Sequence, residues 1–516
     1  MAMAVPTSLV TPAFQEPGLP LSRRVPHRPR ARSSPSSPKV PRVAVIGCFA
    51  SLWRHLQRWR REQARRDVTR KLFGFNDEMF DCERRQTLAK DFGVGKVQLD
   101  ITHWLEEAQL DENLAKDVME KFGSVPQQAD EVVADVVQRI QSGAQKCVAP
   151  SSIVHPFGST VNGFGEESSD LDVLVAIKEE ELSYYMSYAS WAQKHQRLSE
   201  FLLPDSPTEP LLPTRITSKM AMSHAVQQLA DFLPELGFKV LNLLPQARKP
   251  LVTVEDMQGP LKEIDVSINN SLPLYNSQLL KAYSELDERV RPLVLLVKVW
   301  AKGKRVCGAG EGNLSSYSWT IMVIYFMQLV GILPSLQLLQ EGSRILSHSD
   351  YWGHPRKFET AFLTAKEYKQ AVADQKIPPC QAEADLTVAQ LLYGFVRFFA
   401  LEYQWGNETV SMRSPERREP NEWMRFFGTV HPEAMIHIED PIEFRDLNIV
   451  LRRERLAQLK EEFNHALQML EDGCSLEEFL TRDPRPDVIL IPLRTKRRIN
   501  RRRQRSVEIP RLPELK

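Results

Sequence analysis

The stretch from Phe157 to Ile177, FGSTVNGFGEESSDLDVLVAI, constrains this chain more than any other. It opens on Gly158-Ser159, behind the apolar turn His155-Pro156-Phe157. It closes on Asp170-Leu171-Asp172, which runs into Val173, Leu174 and Val175. Side chains alternate faces along a strand, so Asp170 and Asp172 share one face while Leu171 and Val173 turn into a core. Two carboxylates side by side repel each other unless a cation stands between them. Hard oxygen ligands of this kind suit Mg²⁺ or Mn²⁺. Gly158 and Ser159 offer backbone N–H groups and a hydroxyl, which suit an anionic phosphate at a helix start. An Asp-x-Asp alone is an ordinary solvated strand edge, and a Gly-Ser alone is an ordinary turn. Their combination, leading straight into a buried apolar strand, is the specific signal.

A chain of 516 residues is too long for one core and predicts about two or three domains with tails. Its six cysteines are scattered without a C-x-x-C pair, which argues against a zinc knuckle or a disulfide framework and fits a reducing compartment. No apolar run reaches the roughly 18 residues of a membrane span, so no membrane partner is expected. The net charge of +1 hides basic ends and a balanced middle.

Residues 1–50 are rich in Pro, Ser and Arg and read as a disordered basic tail. An Arg- and Ser-rich transit peptide is the alternative, opposed by the many prolines. Residues 51–97 read as a basic helical extension, with Leu52, Leu56 and Trp59 at helical spacing. Helices are expected over residues 98–146, where Val132, Val133, Val136, Val137 and Ile140 form a stripe. A first strand is expected near Ile153, between Pro150 and Pro156. After the Asp strand come a helix over residues 182–201, a Pro-rich loop over 202–213 and a helix from about Arg215 to Phe232. Strands follow over residues 238–244, 251–255 and 261–268. Asp265 sits in the last, opposite in direction to the apolar Ile264 and Val266. Residues 290–302 form a buried helix bearing Lys298 and Lys302 on one face, and those lysines need a triphosphate or a snorkelling surface contact. Ser315-Ser316-Tyr317 caps a long apolar helix. Residues 331–379 read as a variable, uninformative loop. Residues 388–405 are apolar and aromatic, and residues 451–470 form a final amphipathic helix. Residues 476–516 read as a disordered tail with seven basic residues in the ten from Lys496 to Arg505, suited to RNA phosphates or nuclear import.

Gly158-Ser159 with Asp170-x-Asp172 resembles the signature of the polymerase-β nucleotidyltransferase superfamily. The flanks are closest to the noncanonical poly(A) polymerases and terminal uridylyltransferases. Over roughly residues 100–470 the resemblance extends to Ser-Ser-Tyr, to a poly(A)-polymerase-associated segment at about 385–450, and to Ile438-Glu-Asp-Pro-Ile-Glu443. It implies an α/β + α fold: a polymerase-β-like nucleotidyltransferase catalytic domain, a mixed sheet with flanking helices over 98–275, joined to a mostly helical domain over 276–475. It implies Asp265 as a third carboxylate, so that Asp170, Asp172 and Asp265 hold two Mg²⁺ ions, with Mn²⁺ able to substitute. It implies that Asn276 bonds the ribose, that Lys298, Lys302 and Ser316 hold phosphates, and that Tyr317 stacks on the base, worth ~1–3 kcal/mol. Asp440, Glu443 and Asp446 would line the base pocket.

Three departures matter. Thr253 stands where the family often carries a basic residue, and Ile442 where a Phe is usual. Asp446 stands where uridine-selective members carry a His. The last two changes leave more room for a purine. The expected function is template-independent nucleotide addition to an RNA 3′ end, from ATP in preference to UTP. A terminal uridylyltransferase and an inactive RNA-binding subunit are the alternatives, along with transfer to a different acceptor. The expected compartment is the cytoplasm, or the mitochondrion or nucleus if the basic ends are address signals.

Overall fold

The computed structural model describes residues 94–167, 169–178, 181, 218–247, 249–341, 344–349, 355–381, 386–419, 436–443 and 445–481. The expected N-terminal tail, the basic helix over 52–72, the helix over 182–201, the loop over 202–213 and the basic cluster 496–505 all lie outside them. The described residues fall in one compact unit.

Three helices come first: α1 (Thr102–Glu107), α2 (Leu114–Phe122) and α3 (Asp130–Cys147). Strands β1 (Ile153–Phe157) and β2 (Leu171–Ala176) follow, then α4 (Ser218–Phe232), β3 (Phe238–Leu244), β4 (Leu251–Asp256) and β5 (Ile264–Ile268). The five strands make one mixed sheet in the order β1-β2-β5-β4-β3. Only β2 and β5 run parallel; the other neighbours are antiparallel. Pro156 lies inside β1 rather than bounding it. An edge strand tolerates a residue without an N–H, and β1 is an edge. Val136 and Ile140 of α3 and Val226 and Leu229 of α4 pack on one face of the sheet, against Leu171, Val173, Val252, Val254, Ile264 and Val266.

The helical part holds α5 (Leu272–Ser284), α6 (Val290–Gly303), α7 (Ser316–Leu329), the hairpin β6 (Ile345–Ser349) and β7 (Pro355–Glu359), α8 (Ala365–Ala373), α9 (Val388–Arg397), the short strands β8 (Thr409–Val410) and β9 (His437–Ile438), α10 (Arg453–Glu471) and α11 (Leu476–Leu480). Helix α7 is buried on all sides from Ser318 to Leu329, as a helix apolar all round must be. Ser315 caps it by accepting the Ser318 N–H at 3.1 Å. Helix α9 starts on a capping box of Thr387 and Gln390. It runs into a π turn over Phe398–Glu402, closed by the Tyr403 N–H on the Phe398 carbonyl.

Two expectations are corrected. The uninformative stretch 331–379 contains the β6–β7 pair and α8; two five-residue strands give little periodicity to read. Residues Leu476–Leu480 form a helix rather than the start of a tail, with Phe479 stacked on Trp300 at a 6.0 Å centroid distance. The helices that precede the sheet divide between two cores. Ile101, Trp104, Leu114, Val118 and Phe122 join the helical core beside Trp300, Trp319 and Phe463, whereas α3 joins the sheet. The chain thus leaves the helical layer, builds the sheet, and returns. Among the described residues no helix is long and apolar enough to cross a membrane, and the four described cysteines are free thiols.

Candidate active site

The parallel pairing of β2 with β5 sets Asp172 directly beside Asp265. In-register neighbours project to the same face of a sheet, so the two carboxylates share the face that α3 and α4 leave uncovered. Leu171 and Val173 are fully buried on the other face. Asp170 stands exposed at the mouth of β2. Burial, then Asp265, Asp170 and Glu263, push the half-buried Asp172 carboxyl up to about 7. Burial and Asp265 also raise Asp170, and Lys302 opposes them. Glu263 is a fourth carboxylate that sequence reasoning missed; Asp170 is the main cause of its raised pKa. Its signal was available, because it lies two residues before Asp265 and so on the same face.

Gly158 closes over this pair. Its φ is +78°, and a Cβ there would run into the Asp172 carboxylate. Only glycine combines that backbone with that approach. The Gly158 N–H donates to Ser277 Oγ at 2.8 Å, and Ser277 Oγ donates to the Pro273 carbonyl at 2.8 Å. Ser159 occupies the 3₁₀ turn Gly158–Thr160. Ser277, on α5, was not singled out from the sequence. Its neighbour Asn276 is buried, and its Oδ1 has no hydrogen-bond partner, which leaves an acceptor free for a ligand.

The facing wall comes from α6 and α7. Lys298 is 6% exposed and donates to the Phe164 carbonyl at 2.6 Å. Burial, then the charge of Lys302, lower its pKa to about 8. Arg291 Nε donates to the Gly163 carbonyl at 2.8 Å, and Arg291 Nη2 to the Val125 carbonyl at 2.7 Å. Phe164 itself is buried in the helical core. The loop between Ser159 and Asp170 is therefore clasped by two cations of α6. Lys302 is exposed and bears electrostatically on Asp170. Lys302 and Lys298 both bear on Cys307, whose Sγ lies 3.5 Å from Ser316 Oγ at the start of α7.

The second set gathers around Tyr317. Its hydroxyl is buried without a hydrogen-bond partner and feels Asp440, Arg445 and Glu443. Asp440 Oδ1 accepts the N–H groups of Ile442 (3.0 Å) and Glu443 (2.8 Å). Arg445 Nη2 lies 3.6 Å from Asp440 Oδ2, and Arg445 Nε lies 3.3 Å from Glu443 Oε2. Ile442 is fully buried with Leu272 and Phe358. Asp446 differs from expectation. It is buried, its Oδ1 accepts the N–H groups of Ile438 and Asn448, and its Oδ2 lies 2.7 Å from His437 Nδ1. It caps the following 3₁₀ turn and points inward, because the Asp side chain is short enough to bond its own backbone.

Comparison with known proteins fits this geometry. Residues 114–285 match the family described as the central palm domain of mitochondrial-like poly(A) RNA polymerase. The chain is similar to the poly(A) RNA polymerase GLD2 of Rattus norvegicus, 25% identical over 376 residues, which cover 72% of this chain and 66% of the relative. The GLD2 of Homo sapiens matches at the same identity and coverage. The chain is thus similar to enzymes named poly(A) RNA polymerases. It spans about 66% of the length of those curated relatives. In fold, the chain is similar to a solved cytoplasmic RNA terminal U-transferase, with a TM-score of 0.53, 22% identity, and coverage of 73% of this chain and 99% of that one. The Cid1 poly(U) polymerase with MgGTP bound gives a TM-score of 0.53 at 22% identity, covering 72% and 99%. The fold is that of the polymerase-β-type nucleotidyltransferases.

Enzymes of this type generally use divalent metals. The donor set fits one: it is all oxygen, and a cation would offset both the burial and the repulsion that raise Asp172. As they stand, no three acidic, His or Cys side chains among the described residues close on one point.

Proposed function

We propose that this protein adds nucleotides, without a template, to the 3′ end of an RNA. The observation that carries this is the in-register Asp172–Asp265 pair beneath the Gly158 turn, with Lys302 opposite. Asp170, Asp172 and Asp265 would hold two Mg²⁺ ions, or Mn²⁺ in their place. A metal held there would supply positive charge against the negative charge that develops during transfer. Asp265 orients the primer hydroxyl and accepts its proton. Lys302 and the N-terminal turn of α7 with Ser316 receive the phosphates, and Lys298 adds a second charge behind them. Asn276 offers its free Oδ1 to a ribose hydroxyl. Tyr317 presents its ring to the base, with Asp440 and Glu443 behind it.

ATP is the proposed substrate. The curated relatives are named poly(A) RNA polymerases, and no His stands at position 446 to read a uracil edge. With Asp446 turned inward, base discrimination falls to the Tyr317, Asp440 and Glu443 group. The test is product analysis on a short RNA primer with each of the four triphosphates and Mg²⁺. The expected result is an adenylate ladder that Asp172→Ala abolishes. Faster incorporation of UTP than ATP would make the protein a uridylyltransferase. Wild-type protein that extends no RNA with any triphosphate would leave the fold serving another acceptor or an RNA-binding role.

A further inference from the structure

We infer that Thr253 is a positioning residue for Asp265. The inference rests on the proposed transfer reaction. Thr253 pairs with Asp265 across β4 and β5, and its Oγ1 donates to Asp265 Oδ1 at 2.6 Å. Both belong to the row that crosses the open face of the sheet, from Thr253 on β4 through Asp265 on β5 to Asp172 on β2.

Thr253 is 7% exposed, and a buried hydroxyl without a partner is costly. The strand neighbours Val252 and Val254 are fully buried on the opposite face, in the sheet core. That alternation leaves the Thr253 side chain no way to turn off the row. A threonine is stiff at χ1, so the hydroxyl is a fixed donor, and through it one Asp265 oxygen is fixed in turn. The other oxygen is left for the face shared with Asp172. A basic residue here would restrain Asp265 by charge and would also reach toward phosphate. A threonine restrains it by direction alone, adds no positive charge to a site already holding Asp170, Asp172, Asp265 and Glu263, and leaves phosphate binding to α6 and α7.

The test compares Thr253→Val, which keeps shape and removes the donor, with Thr253→Ser, which keeps the donor. Two quantities are read: steady-state transfer to an RNA primer, and the Mg²⁺ concentration at the midpoint of thermal stabilisation without nucleotide. For Thr253→Val, kcat should fall by about 10- to 100-fold, the range for losing a partner that orients a ligand. The KM for the triphosphate should hold, and the Mg²⁺ midpoint should rise. Thr253→Ser should restore both quantities to within a few-fold of wild type. A Thr253→Val enzyme with wild-type kcat and Mg²⁺ midpoint would overturn the inference. So would a Thr253→Ser enzyme as impaired as Thr253→Val, which would mean packing alone matters. If the wild type transfers no nucleotide, the reaction reading fails, and the Mg²⁺ midpoints of the two variants still decide whether Thr253 holds Asp265.

Discussion

Lys298 should be a residue that lowers stability in exchange for binding, and Lys298→Met tests this. The ammonium lies among apolar neighbours of α6 with one close partner, the Phe164 carbonyl, and with Lys302 a turn away. Its pKa falls from 10.5 to about 8. At roughly 1.4 kcal/mol per unit, holding the charged form in the fold at pH 7 costs about 3 kcal/mol. The sign follows from proton linkage: between pH 8 and 10.5 the unfolded chain binds the proton and the folded chain does not, so stability rises with pH there. Methionine removes the charge, keeps similar bulk, and forfeits the bond to Phe164, worth about 1 kcal/mol for a neutral amine. The variant should therefore be about 2 kcal/mol more stable than wild type at pH 7, with the advantage gone by about pH 10. Urea denaturation at the two pH values measures both. The same variant should raise the KM for the triphosphate, since a ground-state phosphate contact is lost. Lower stability at pH 7, or an unchanged pH dependence, would refute the reasoning and make Lys298 a clasp for the Phe164 loop alone.

Three further outcomes are expected. Asp172→Ala should abolish transfer while the far-ultraviolet circular dichroism spectrum stays native, and it should weaken the thermal stabilisation that Mg²⁺ gives wild type. Gly158→Ala should also inactivate, because the +78° backbone and the Asp172 carboxylate both oppose a Cβ; the thermal midpoint should drop, by about 1–3 kcal/mol equivalent. Deleting residues 496–516 should weaken RNA affinity and flatten its dependence on salt, as fewer cations displace counterions from phosphate; a binding isotherm at two salt concentrations decides.

Much of the site could be read from the sequence because it is local. Gly158-Ser159 and Asp170-x-Asp172 lie on one turn and one strand, and strand alternation alone puts both carboxylates on one face. The same rule gave Asp265 its face and could have given Glu263. Ser315 as the cap of α7 was legible from the residue type before an apolar run. The β6–β7 pair was not, since two strands of five residues each leave little pattern to count.

Local pattern fixed which way each residue faces within its own element, and only the tertiary structure decided which elements meet. Asp172 and Asp265 are neighbours because β2 and β5 pair in parallel, a non-local match that the intervening β3 and β4 must first cross over to permit. The sequence shows two lysines on one face of α6; packing sends Lys298 into the Phe164 carbonyl and leaves Lys302 exposed toward Asp170. Asp446 faces inward because His437 and two backbone N–H groups await it there. Helix α2, early in the chain, belongs to the late helical core because its buried face matches α6 rather than the sheet. Periodicity follows from the geometry of a single element. Partner choice follows from burying complementary surfaces across the whole chain.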